Sequence, residues 1–548
     1  MNRLISNIIN SENYTNTVSF DKIRSIHGAN KISADFSTYL ADESKLSGEA
    51  EWLFFPKSES EIISILNFLR INQIRTYISA ARTGITGSCV PTSGSVLSIE
   101  KMNNIIGFGF DSNKGNYFFR VEPGITLNEI NDRLLKKDFA DVTELTPGSK
   151  KNFGETNTKH YYPVDPTEMS ATIGGTVATN ASGARSLKYG PTREWIKRIR
   201  VILSTGVVLE IPRGKYFASN EGTFEIRHSD GSVLQFKIPN YIFNTTVKNA
   251  AGIFSKPNMD LIDLFIGSEG ILGIITQIDI WIIEKQRLIS NVLFFNFEED
   301  AINFAELIRV EKEVSPEFIE FFSREALSLL KEIQKKNLGS FDIPQIPIKA
   351  RSAIFFDFLY DEENFDRIFD KITVITKICN TDLSNSWSGY ERQYHIRFKH
   401  FRHSLPENIN MIIAKRKQIF PNLHKLGTDM SVPEKDFRNM MKYYHSVLQN
   451  ENLEYVIFGH IGENHVHVNV LPKNMDELRL GEKIYEKFVI KAVEYGGSIS
   501  AEHGVGKIKK EYLKIMYTSD NLNEMRTLKK ALDPTLTLNY GNMIDFNS

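Results

Sequence analysis

Between Glu51 and Leu69 the chain passes from an unbroken apolar run, WLFFP, to apolar residues at Ile62, Ile63, Ile65, Leu66 and Leu69. The first pattern is that of a buried strand and the second is one face of a helix, with Ser58 and Ser60 placed to open it. Arg75 to Ile78 reads as a short strand, and VLSIEKM from Val96 starts another, with the small-residue stretch AARTGITGSCVPTSGS between them. A loop of that composition joining two strands is a candidate ligand cradle.

Two more glycine-bearing stretches follow. ATIGGTVATNASGARSLKYG runs from Ala171 to Gly190 and leads into IKRIRVILSTGVVLEI, a strand, turn and strand with Thr205-Gly206 at the turn. FIGSEGILGIITQIDIWII is β-branched beyond Gly273 and is expected to enter a strand. Residues 212–239 read as an inserted hairpin. After Glu284 the texture turns to longer helical patterns, as in EDAINFAELIRV and PEFIEFFSREALSLLKEI, with strands such as SAIFFDFLY between them. A domain boundary is expected there. No repeat, low-complexity tract or long Gly/Ser linker separates the parts, so they are expected to pack closely.

Composition narrows the function class. At roughly 150 residues per domain, a chain of 548 residues allows two to four domains with a large core. Its 66 Lys and Arg against 67 Asp and Glu leave a net charge of −1, without the basic field that nucleic acid requires. Cys89 and Cys379 are too few for a disulfide framework or for an iron–sulfur cluster, which takes about four thiolates. The apolar stretch Gly270 to Ile283 carries Gln277 and Asp279 and is too short to cross about 30 Å of hydrocarbon. MNRLISNIINSENY lacks a continuous apolar segment and a small-residue cleavage site, so a cytoplasmic address is expected, with peripheral attachment to the inner face of a membrane left open.

The small-residue loops present backbone N–H groups that can hold a pyrophosphate with little side-chain charge, or they are ordinary tight turns. None is a G-x-G-x-x-G that opens a helix in a βαβ unit, so the usual dinucleotide fold is not indicated. VIFGHIGENHVHVNVLP, from Val456 to Pro472, carries the strongest local signal. As a strand, HVHVNV puts His465, His467 and Asn469 on one face and Val466, Val468 and Val470 on the other. His460 lies across the Gly462-Glu463-Asn464 turn, and Glu502 in ISAEHGVG adds a carboxylate. Two imidazoles and a carboxylate suit zinc or another divalent ion with an open position; hydrogen-bonded surface histidines are the structural alternative. His503, beside that carboxylate, is the candidate base, since imidazole titrates at about 6.5. Arg402 in FRHSLPENINM and Lys425 in HKLGTDMSVP are candidate carboxylate ligands, each of which alone is as readily a solvated cation.

Taken in order, Pro56 and its helix, AARTGITG, VEPGITL at Val121, ATIGGTVATNASG, LFIGSEGILGIIT, GHIGENHVHVN, GGSISAEHGVGK and ALDPTLTLNYG span about Ala50 to Gly541. This set resembles the FAD-binding oxidoreductases of the vanillyl-alcohol-oxidase/p-cresol-methylhydroxylase type. Within them it is most similar to the branch containing D-lactate dehydrogenase, the glycolate oxidase flavin subunit and D-2-hydroxyglutarate dehydrogenase. The resemblance implies an α+β fold: a two-part FAD-binding domain over 46–285, carrying the 212–239 hairpin, and an α+β substrate cap domain with an antiparallel sheet over 286–504. An N-terminal segment over 1–45 and a C-terminal segment over 505–548, returning to the flavin, complete the expected organisation.

The resemblance also implies which residues meet FAD. Ala81, Arg82, Thr83, Gly84, Thr86, Gly87 and Ser88 fall on the pyrophosphate loop, and Thr172, Gly174, Gly175, Asn180 and Gly183 on the segment lining the flavin. Glu269, Gly270, Ile275 and Asn539 complete the nucleotide site. The cofactor is expected to be noncovalent, because the loop from Ala80 to Ser88 holds no histidine and Cys89 is the only thiol beside it. The family's metal ligands fall on His460, His467 and Glu502, its base on His503, and its substrate-carboxylate contacts on Arg402, Lys425 and Asn469.

Three departures stand out. Ala80, Ala81 and Arg82 replace glycines common in the first loop, so Arg82 either contacts phosphate or points outward. The turn that commonly reads GDGNLH is here Gly462-Glu463-Asn464-His465-Val466-His467, which leaves the role of His465 open. Tyr540 takes the usual proline position. With only two cysteines, the chain is expected to lack the iron–sulfur extension of a longer relative.

The function expected is oxidation of a D-2-hydroxy acid, D-lactate first and D-2-hydroxyglutarate second, to the 2-oxo acid. Electrons would pass to an external acceptor: quinone, cytochrome or electron-transfer flavoprotein. A homodimer is compatible with this reading. The alternatives are a redox-neutral flavin transferase resembling alkyl-dihydroxyacetone-phosphate synthase and a flavin-binding subunit that needs a partner.

Overall fold

The computed structural model describes residues 22–227, 231–336 and 343–546. The N-terminal stretch MNRLISNIINSENY and the tip of the 212–239 hairpin lie outside the described residues.

The strand Trp52–Phe54 and the helix Glu59–Ile71 form where the hydrophobic pattern changes period. Ser58 caps that helix by accepting the Glu61 N–H at 3.3 Å, an interaction worth about 1 kcal/mol. The helix buries Ile62, Ile65, Leu66 and Leu69 in a core shared with Phe54, Leu97, Ile202 and Ile274. It also provides the crossover that parallel strands need, since Thr76–Ser79 and Trp52–Phe54 both run parallel to Ser95–Ser98 between them. The first small-residue loop therefore leaves the carboxyl end of Thr76–Ser79.

A six-stranded sheet follows, in the order Val208–Pro212, Ile196–Ile202, Ile274–Trp281, Asn116–Val121, Ile105–Asp111 and Thr143–Glu144. Asp279, 1% exposed, accepts hydrogen bonds from both Arg120 and Arg198 and so ties three adjacent strands together. The hairpin within 212–239 pairs Thr223–Arg227 with Val233–Lys237.

A seven-stranded antiparallel sheet begins at Leu288. Its order is Ser386–Gly389, Leu288–Phe295, Ser352–Leu359, Phe318–Phe322, Tyr455–Gly459, His467–Val470 and Leu426–Gly427. Here the structure corrects one expectation. PEFIEFFSREALSLLKEI is not helical throughout: Phe318–Phe322 is a strand buried along its whole length, and the helix Arg324–Lys336 starts only after Ser323. A short apolar run covered on both faces has no period to separate strand from helix, and here the sheet decides. The expected strand HVHVNV is also shorter, with regular pairing only over His467–Val470. Among the described residues no helix is long and apolar enough to cross a membrane.

Candidate active site

The loop from Ala81 to Ser88 is built as a donor surface. None of the backbone N–H groups from Ala81 to Thr86 donates to an acceptor among the described residues. Thr83 and Gly84 lie between the left-handed Arg82 and Gly87, at φ 61° and 74°. A row of unspent N–H groups is what an anionic pyrophosphate requires, so the loop fits FAD. The Arg82 alternatives resolve into a third arrangement: its guanidinium stacks over Tyr39 at 4.3 Å and donates to the Ala80 carbonyl at 3.0 Å.

The second stretch is not wholly loop. Thr172 caps a short helix, Ile173–Thr179, by accepting the Gly175 N–H, and Gly174 donates to the Pro123 carbonyl at 2.9 Å. The helix ends at left-handed Asn180, whose side-chain oxygen accepts the Arg193 N–H at 3.0 Å. Gly183 is obligatory, since a Cβ there would sit 1.6 Å from the Asp165 carbonyl. In the third stretch the Glu269 carboxylate is 2% exposed and fully engaged, accepting from Ser88 Oγ at 2.8 Å, Val505 N at 2.6 Å and Gly506 N at 2.8 Å. Burial raises its pKa, opposed by those donors. Gly270 follows it in the left-handed region, and Ile275 lies in the adjoining strand Ile274–Trp281, opposite Val201. Asn539 braces the same corner, accepting the Ile78 N–H at 2.8 Å and donating to the Glu269 carbonyl at 2.7 Å. Glu269 and Asn539 thus spend their side chains on protein, holding the loops rather than offering free groups.

Glu269 also bonds to the backbone two and three residues after His503, which brings the small-residue loops against a second cluster. His460 follows the strand Tyr455–Gly459 and His467 opens the next strand. Their Nε2 atoms lie 3.5 and 3.3 Å from a single oxygen, Glu502 Oε1. Each ring is oriented from behind: His467 Nδ1 is 3.0 Å from the Thr428 carbonyl, and His460 Nδ1 is 3.2 Å from Glu320 Oε1. With its Nδ1 proton donated to the Thr428 carbonyl, His467 turns its Nε2 lone pair toward Glu502, the orientation that outer partners give metal-ligating histidines. Glu502 Oε2 is held by Lys248 Nζ at 2.8 Å, and Lys248 also reaches Glu463 Oε2 at 3.1 Å and the Gly183 carbonyl at 3.4 Å.

Four carboxylates, Glu320, Asp429, Glu463 and Glu502, here face three fixed cations, Lys248, Arg402 and Lys509. One negative charge remains for a cation to balance. The balance appears in the titration of His460: burial and Lys248 work to lower its pKa, yet Glu502 and Glu320 push it up to about 9. Glu502 itself would be raised by burial, but Lys248 and His460 hold it well below the usual carboxylate range. A site that draws a proton onto one imidazole can exchange that proton for a metal ion. The donor set therefore fits a divalent cation.

His503 is 31% exposed at its side chain, and its Nε2 lies 3.5 Å from Glu502 Oε1. Its Nδ1 is 3.2 Å from Asp429 Oδ2, which also receives Lys509 Nζ at 2.6 Å and Ser500 Oγ at 2.7 Å. Burial would raise the Asp429 pKa, but His503 and Lys509 carry it well below its ordinary value. Asp429 thus stays ionised and holds the Nδ1 proton, leaving Nε2 as the basic atom.

The carboxylate candidates separate. Arg402, on the helix Arg392–Lys417, is already paired with buried Glu320 at 2.8 Å. Lys425 has no ion pair or hydrogen bond among the described residues, and burial lowers its pKa. Asn469, 3% exposed, leaves its Nδ2 without a partner. Sequence reasoning missed Glu320, Asp429, Lys248 and Lys509. Asp429 stood within the KLGTDMSVP phrase, three residues after Leu426, and Glu320 was hidden by the helical reading of its strand.

Known proteins resemble this chain over most of its length. Residues 50–151 and 155–212 match the FAD binding domain model, and residues 284–543 match the model for the C-terminal domain of FAD linked oxidases. The chain is 25% identical over 527 residues to a D-lactate dehydrogenase of Anaerostipes hadrus, covering 93% of each protein. It is 24% identical over 494 residues to glycolate oxidase subunit GlcD of Bacillus subtilis, covering 89% of this chain and 87% of that one. A D-2-hydroxyglutarate dehydrogenase of Stutzerimonas stutzeri is 25% identical over 498 residues, with 89% and 90% covered. Among solved structures, p-cresol methylhydroxylase superposes with a TM-score of 0.64 at 13% identity, covering 100% of this chain and 98% of that one. Alkyldihydroxyacetonephosphate synthase gives 0.59 at 15% identity over 96% and 88%. These two share the fold. With the FAD-binding and C-terminal models taking up most of its length in the expected order, the chain belongs to the FAD-linked oxidases.

Proposed function

We propose that the protein is a metal-dependent, FAD-linked dehydrogenase that oxidises a D-2-hydroxy acid to the 2-oxo acid, D-lactate being the first choice, and passes the electrons to an external acceptor. One observation carries this reading: the His460, His467 and Glu502 cluster lies against the flavin-lining segment, joined to its Gly183 carbonyl through Lys248. The relatives named D-lactate dehydrogenase, glycolate oxidase subunit GlcD and D-2-hydroxyglutarate dehydrogenase point the same way.

Bound FAD would supply the hydride acceptor, and a divalent ion on His460, His467 and Glu502 would supply a Lewis acid for the substrate hydroxyl. The chain's own groups do the rest. Oxidation of the substrate removes the α-hydrogen with its bonding electron pair, and the hydroxyl proton would go to His503 Nε2. Asp429 keeps the opposite nitrogen protonated and so fixes the ring, at 3.2 Å. Lys509 and Ser500 keep Asp429 ionised. The substrate carboxylate is held by Lys425 and Asn469, whose Nζ and Nδ2 have no protein partners among the described residues, with Arg402 shared between the substrate and Glu320.

This division of labour changes the expected mutants. Arg402→Ala leaves Glu320 buried without its cation, and breaking such a pair costs about 3–5 kcal/mol, so that variant tests stability as much as binding. Lys425→Met removes a cation that no protein group uses. Loss of a charge-assisted bond of about 1.5–3 kcal/mol should raise KM roughly ten- to a hundredfold with the melting temperature unchanged. An unchanged KM in Lys425→Met would remove the lysine from the substrate site.

Turnover by the isolated, FAD-loaded chain with an artificial electron acceptor tests the whole reading. Reduction of the acceptor by D-lactate is expected. A redox-neutral transferase, or a subunit needing its partner, would give none.

A further inference from the structure

His465 has a structural problem that the mechanism above does not use. It is 0% exposed, it sits between the two proposed ligands, and its Nδ1 has no hydrogen-bond partner among the described residues. Buried imidazoles are ordinarily bonded at both nitrogens, or at one nitrogen and a metal. Its ring centroid lies 4.6 Å from that of His467 and 5.5 Å from that of His460. One of its nitrogens, together with one ligand atom each from His460, His467 and Glu502, falls in a group whose members all lie within 4.8 Å of one another. The neighbouring acid serves only the other nitrogen: His465 Nε2 is 3.2 Å from Asp429 Oδ1.

We propose that His465 is a third imidazole ligand, so that the divalent ion is held by His460, His465, His467 and Glu502. The inference rests on the metal-dependent reading above and extends it. The Asp429 carboxylate then stands behind both His465 and His503, in the place where outer carboxylates orient ligating histidines. The consequence is chemical. Four protein donors close a tetrahedral zinc site, leaving no position for substrate, whereas an ion that accepts six ligands keeps two positions for the hydroxyl and one carboxylate oxygen of a 2-hydroxy acid. The site so built favours a six-coordinate ion with affinity for imidazole, of the Mn2+, Fe2+ or Co2+ kind, over zinc.

The test uses the FAD-loaded full chain, stripped with a chelator and reloaded with Cu2+ for pulsed EPR, which counts coordinated imidazoles from their remote nitrogens, and with Co2+ for affinity. Wild type should show three imidazoles. His503→Ala should retain three, whereas His465→Asn should fall to two and bind Co2+ at least roughly tenfold more weakly. The flavin spectrum reports that each variant is folded. A count of two in wild type, or a count that survives His465→Asn, overturns the proposal whatever the affinity does. Failure of the wild type to take up any divalent ion overturns this inference and the metal-dependent reading together, while metal that is lost from His467→Ala but bound with full affinity by His465→Asn overturns this inference alone.

Discussion

His467→Ala should lose its metal and keep its flavin. The imidazole contributes a nitrogen 3.3 Å from Glu502 Oε1, and its loss opens the donor set. The loops that fit FAD draw instead on backbone N–H groups between Ala81 and Thr86, on the opposite side of Glu269. Removing Lewis-acid stabilisation of several kcal/mol should lower kcat by on the order of 10³-fold. Elemental analysis paired with the flavin absorbance checks both halves. Retention of stoichiometric metal in the variant would remove His467 from the ligand set, and active wild type without stoichiometric metal would mean that these histidines bind substrate directly as hydrogen-bond donors.

His503→Ala should show the reverse separation, with metal and flavin both retained and kcat reduced by roughly 10²–10⁴-fold, the usual contribution of a positioned proton acceptor. The ring is partly exposed and packs no core, so folding should be unaffected. Asp429→Asn is a useful companion because it leaves the imidazole in place but removes the charge that fixes its tautomer. Its defect should be concentrated in kcat, since that carboxylate fixes the ring that receives the proton. If His503→Ala turns over at the wild-type rate, the proton leaves by another route.

Much of this site was readable because its parts are local. The small-residue loop after Thr76–Ser79, the turn at Thr205-Gly206 and the pairing of His460 with His467 all depend on residues close in sequence, where period and turn chemistry determine the outcome. The electrostatic frame was not readable. Lys248 stands alone in NTTVKNAAG, yet its ammonium reaches Glu502 from 254 positions earlier in the chain. Lys509, in a run that reads as surface charge, is buried against Asp429. Glu320 was concealed because FIEFF suits either element type until the neighbouring strands Ser352–Leu359 and Tyr455–Gly459 pair with it. Long-range burial of charge leaves no periodic signature, so only the assembled sheet shows which carboxylates need a cation. The same holds for Glu269 and Asn539, which belong to motif segments but act as braces between them.

Anaerobic mixing of the metal-loaded, FAD-loaded chain with a panel of D- and L-2-hydroxy acids, followed at the flavin absorbance band, is the most direct measurement of the central claim. The account predicts bleaching by a D-2-hydroxy acid, with D-lactate foremost, no bleaching by its L-enantiomer, and loss of the response on chelation with recovery when divalent metal is restored. A flavin that stays oxidised with every hydroxy acid, or that bleaches equally after complete removal of metal, would contradict it.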